Sequence, residues 1–122
     1  MVQFSEYEEF AKEFKKLAKK WNTLAKDFEI FCKVLKTNPR QHIAISWLWE
    51  DVDWEFYKVK KFVCRSIAKN SKKSWIRIVY CYKEDTETIE FSEITFIEVY
   101  HKNQKANHDI ERIQNNFWKD KT

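Results

Sequence analysis

Lys58, Lys60 and Arg77 have types and spacings that chemistry can use. In "FYKVKKF" side chains alternate, so Lys58 and Lys60 leave the chain on one side and Tyr57 and Val59 on the other. "WIRIVYCY", residues 75–82, is β-branched and aromatic and reads as a strong strand. There Trp75, Arg77, Val79 and Cys81 share one face, and Ile76, Ile78, Tyr80 and Tyr82 share the other. Paired strands would put the three cations on one face of a sheet. Three cations held together repel, so an anion must compensate. A phosphate suits the set, because Arg forks onto its oxygens while Lys acts as a point charge. A carboxylate such as Glu98 would serve equally well.

The surroundings are basic. Phe56 to Lys83 holds nine lysines and arginines and no carboxylate, in a chain of formal net charge +4, so the remainder is net negative. That segregation makes a local positive field of the kind that steers polyanions. Lys61, Arg65, Lys69, Lys72 and Lys73 belong to it. The loop "AKNSKKS" can meet a phosphate backbone or simply be solvated, and such contacts would carry no sequence specificity. "YHKNQKANH" gathers His101, Lys102, Lys105 and His108 where the last strong strand gives way to a helix, and histidine can move protons near neutral pH.

Other chemistries are disfavoured. The chain has no glycine, hence no glycine-rich phosphate cradle. Turns needing positive φ must then fall to Asn22, Asn38, Asn70, Asp85 or Asn103. Cys32, Cys64 and Cys81 are far apart and read as free, packed thiols. The acidic run Glu50, Asp51, Asp53, Glu55 fits no Ca²⁺ loop and reads as a solvated edge. No cofactor is expected. No stretch has the length and apolarity of a membrane span, and "MVQFSEYEEF" lacks the layout of a secretion signal, so the expected location is cytoplasmic.

The elements that must position the cations are legible as one domain over 1–122. Tyr7, Phe10, Phe14, Leu17 and Trp21 form one apolar stripe, giving a helix over 5–21 with Ser5 as N-cap and Glu8 completing a capping box. Leu24, Phe28, Phe31 and Leu35 give a second helix from Thr23 to Lys36, ended by Asn38-Pro39. Strands follow in "HIAISWLW", "FYKVK", "WIRIVYCY" and "ITFIEVYHK", with a hairpin extension at "TIEF". "NHDIERIQNNFW" closes the chain as a helix capped by Asn107. The expected fold is α+β: an N-terminal helix hairpin packed on a twisted antiparallel β-sheet, with a C-terminal helix.

"TLAKDFEIFCKVLKTNP", "FYKVKKFVCRS", "SKKSWIRIVYCY" and "IEVYHKNQKANHDIERI", in that order and spacing, resemble the RelE/ParE superfamily of toxins of type II toxin–antitoxin systems. The resemblance covers nearly the whole chain and implies the same RelE-like fold. It implies a metal-independent endonuclease that cuts messenger RNA on the ribosome, or, as in other members, a non-enzymatic gyrase inhibitor. A degenerate toxin that only binds its antitoxin is a further alternative. Implied partners are a cognate antitoxin with ribosome and mRNA, or DNA gyrase. Lys58 and Lys60 match paired strand lysines that would orient or deprotonate the RNA 2′-hydroxyl. Arg77 matches the strand arginine that would stabilise charge on the scissile phosphate, and His101 or His108 would protonate the leaving oxygen. Lys61, Arg65, Lys72, Lys73, Lys102 and Lys105 would hold RNA backbone. Trp75 stands where the family pattern has glycine.

Overall fold

The structure, a computed structural model, describes residues 2–45, 54–60, 62–65, 75–84, 92–102 and Arg112. The elements are β1 (Gln3–Glu6), α1 (Glu8–Lys20), α2 (Leu24–Thr37), β2 (Ile43–Ala44), β3 (Glu55–Val59), β4 (Ile76–Lys83) and β5 (Glu93–His101). They build an α+β fold in which two helices cover one five-stranded sheet of order β1-β5-β4-β3-β2. The pairs β2–β3, β3–β4 and β4–β5 are antiparallel, while β1 lies parallel to β5. The sheet is therefore mixed rather than purely antiparallel.

The added strand corrects the expected start of the first helix. Residues 3–6 give their backbone to the edge of β5, continued by Gln3 N–H donating to Ser92 O and Tyr7 N–H to Phe96 O. Phe4 stacks on Phe96 with ring centroids 5.9 Å apart. Ser5 is not an N-cap: its hydroxyl lies 2.8 Å from that of Thr95 across the sheet. Tyr7 takes the N-cap position, and its carbonyl accepts from Ala11 N–H. Glu8 and Glu9 in the first turn, with Lys19 and Lys20 in the last, complement the helix dipole.

The main core lies between helices and sheet. Phe10, fully buried, meets Phe14, Phe28 and Phe96 at 5.4–6.0 Å between centroids. Leu17, Leu24 and Leu35 join Val59, Ile76, Ile78 and Tyr80 there, so the apolar stripes of both helices do what their spacing predicts. A smaller apolar cluster of Ile45, Phe56, Val79, Cys81 and Ile97 occupies the opposite face of the sheet. The β4–β5 register shifts between Val79 and Tyr80: Val79 pairs with Glu98 and Tyr80 with Phe96. Ile97 is thus the extra residue of a β-bulge. Its carbonyl accepts from Arg112, whose guanidinium also makes two short bonds to the Glu13 carboxylate on α1.

At the far end of the strands Arg40 bridges Glu55 and Glu84 at 2.7 and 2.6 Å, and Tyr80 donates to Pro39 O. Glu55, expected to be solvated, is held below the usual carboxylate range by its Arg40 hydrogen bond. None of the three cysteines forms a disulfide. Burial, reinforced by Glu29 and Glu6, pushes the Cys32 thiol up to about 12. Among the described residues no helix is long and apolar enough to cross a membrane. The expected segments "SWLW", "TIEF" and the closing helix, Arg112 excepted, lie outside the described residues.

Candidate nucleic-acid interface

The β3–β4 register decides which side chains meet. Lys58 pairs with Val79, and continuing that ladder places Lys60 opposite Arg77. Arg77 pairs with Tyr100 on β5. Cross-strand partners share a face, so Lys58, Arg77 and Tyr100 project from the side of the sheet opposite the helices. Alternation along β5 sends Lys102 to that side as well, and Lys102 N–H donates to Trp75 O at 2.9 Å.

A hydrogen bond holds Arg77, and aromatic rings lie beside Lys58 and Lys102. Arg77 Nη1 donates to Lys60 O at 2.9 Å, holding the guanidinium at the end of β3. Lys58 Nζ lies 5.9 Å from the centroid of the Tyr100 ring. Arg77 and Lys102 both lie over the Trp75 indole, at 6.0 and 5.2 Å. Half-buried Lys58 is held below the ordinary lysine value by burial first, and then by Lys60, Arg77 and Lys102. Glu98, the counterion that spacing alone allowed, is fully buried opposite Val79. The downward direction at Lys58 means that burial and like charge outweigh whatever any carboxylate contributes there. Neutralising a neighbour must therefore relax it. Lys102→Ala is expected to raise the Lys58 pKa, followed by NMR of ¹³C-methylated lysines; an unmoved titration would show that the two ammonium groups do not interact.

Other expected site residues fall elsewhere. His101 does not join the cluster. It pairs with Ile76 and therefore faces the helices, where its ring is buried and stacks on Trp21 at 4.9 Å. Burial, then Lys20 and Arg77, lowers its pKa. Arg65 is drawn to α2: its backbone N–H and Nε donate to the two Asp27 carboxylate oxygens at 2.9 and 2.8 Å. Burial alone would raise the Asp27 pKa, but bonds from Arg65 N–H, the Thr23 hydroxyl and the Arg65 guanidinium hold it below 3.8. Lys61, Lys72, Lys73, Lys105 and His108 lie outside the described residues.

Sequence alone gave no role to two residues of this surface, Tyr100 and Trp75, although it set Trp75 on the face of Arg77. The alternation Glu98, Tyr100, Lys102 could have placed Tyr100 beside Lys102, with His101 opposite. On the helix side a separate concavity of about 350 Å³ is lined mainly by apolar groups, among them Ile30, Phe31, Val34, Phe62 and Val63, with Asp27 and Arg65 at its edge. The two surfaces differ in character: one gathers cations, the other is mainly apolar. No family model, curated protein or solved structure matches the chain.

Proposed function

We propose that this chain is a RelE/ParE-type toxin that cleaves messenger RNA on the ribosome without a metal, held in check by a cognate antitoxin. The observation that carries the reading is the convergence of Lys58, Lys60, Arg77 and Lys102 on one sheet face, with Lys58 pressed below its ordinary pKa by burial and by the other three. The resemblance of the β3, β4 and β5 stretches to that superfamily, and helices packed on one side of a sheet, agree with it.

The chemistry follows from the charges. Arg77 takes the non-bridging oxygens of the scissile phosphate and offsets charge that grows there in the transition state. Lys58, less basic than a free lysine, orients the 2′-hydroxyl or accepts its proton. The 2′-oxygen bonds to phosphorus as the bond to the 5′-oxygen breaks, leaving a 2′,3′-cyclic phosphate and a 5′-hydroxyl. Lys102, or His108 beyond the described residues, returns a proton to that leaving oxygen. Lys60 holds adjoining backbone.

The test is a cell-free translation reaction with purified protein, in which messenger 5′ ends are mapped with and without translating ribosomes. Ribosome-dependent cuts bearing 5′-hydroxyl ends are expected. Intact messenger together with inhibited gyrase supercoiling would replace this reading with the gyrase-inhibitor one.

A further inference from the structure

Trp75 has φ of 60°, the one positive value among the described residues. That left-handed region suits glycine and, next best, asparagine, and costs other residues about 1–2 kcal/mol. The chain has seven asparagines, yet here it carries its bulkiest side-chain type. Burial does not account for the choice, because the residue is 39% exposed. Strain of this kind persists where surroundings fix it, and it collects at working sites. The surroundings are on hand: Lys102 N–H pins the Trp75 carbonyl, β4 begins at the next residue, and Arg77 and Lys102 flank the ring. An aromatic ring is thereby held beside the cations of this face, within 5.2 Å of Lys102 and 6.0 Å of Arg77.

We propose that Trp75 is a stacking platform for an unpaired nucleobase of the RNA whose phosphates the basic face binds, an inference that rests on the function proposed above. Lys102, an ammonium on a flexible four-carbon stem, swings from the ring to the incoming phosphate as the base takes its place. Stacking of this kind tolerates any base and adds affinity without adding an ionic contact.

Trp75→Gly removes the ring and suits the backbone; Trp75→Asn does the same with a second residue tolerant of positive φ, and Trp75→Phe keeps an aromatic face. The probes are a 2′-O-methylated ten-nucleotide oligoadenosine and its abasic counterpart, titrated over a salt series. Loss of the ring is expected to weaken oligoadenosine binding about tenfold or more, with Trp75→Phe recovering most of it. Abasic affinity and the slope of log affinity against log salt should stay as in the wild type, and the thermal midpoint of Trp75→Gly should equal or exceed the wild-type one. Equal oligoadenosine affinity in wild type and both ring-less variants would overturn the platform and leave the phosphate reading standing. Failure of the wild type to bind either probe would overturn both.

Discussion

Arg77→Ala is expected to lower the rate of messenger cleavage by about 10²–10³-fold, the usual loss when one preorganised donor to a developing oxyanion is removed. The fold should survive. Arg77 projects from the side of the sheet away from the main core, and its guanidinium bonds to carbonyls at the strand end rather than to a buried carboxylate. A charge removed from a cluster of like charges also relieves repulsion. The variant should therefore melt near the wild-type temperature, and Lys58 should titrate higher than before. Arg77→Lys keeps the charge without the fork, and recovers only part of the rate if bidentate contact matters. A folded Arg77→Ala protein with wild-type cleavage would remove Arg77 from the mechanism.

The second large effect is on stability. Asp27 is almost fully buried on α2 and receives two bonds from Arg65, one of them from the backbone. Truncation to Ala strands that N–H and frees the segment 62–65 from the helix. Bonds to a charged group are worth about 1.5–3 kcal/mol each, but the Arg65 side chain is 54% exposed, so solvent discounts its share. A net loss of about 2 kcal/mol is expected, a fall in melting temperature of about 5–10 °C. The sign with pH is fixed by the direction of the shift. The folded carboxyl is more acidic than its ordinary value of 3.8, so its stabilisation is present above that value and is lost as pH falls below it. Wild type should lose stability more steeply than Asp27→Asn across that acid range. Parallel acid curves for the two would contradict the assignment.

Period-2 alternation made it legible that Lys58 goes with Lys60 and that Arg77 shares the face of Val79, and the β3–β4 register then brings the two sets to one side. The apolar stripes of α1 and α2 were legible for the same reason at period 3.6. Three other features were not. Ser5 with Glu8 reads locally as a capping box, but residues 3–6 serve β5, about ninety positions away, and only that distant edge explains them. His101 was grouped with its neighbours in sequence, although adjacent residues of a strand face opposite ways, and Trp21 holds it on the helix side. Arg65 looked like part of a basic run, yet a buried carboxylate on another element claims it. Among the described residues the positive φ falls on Trp75 rather than on Asn22 or Asn38, the latter at φ −149°, while Asn70, Asp85 and Asn103 lie outside them. A tryptophan where the resembling pattern has glycine was the visible signal.

The central claim is that one face of this sheet receives an RNA phosphate. It is tested most directly by NMR titration of the folded protein with a short RNA whose 2′-hydroxyls are methylated, read at lysine and arginine side chains. The account predicts saturable shifts at Lys58, Lys60, Arg77 and Lys102, with Arg65 and the Asp27 region unmoved. Shifts confined to the helix-side concavity around Arg65, with the four cations silent, would contradict it.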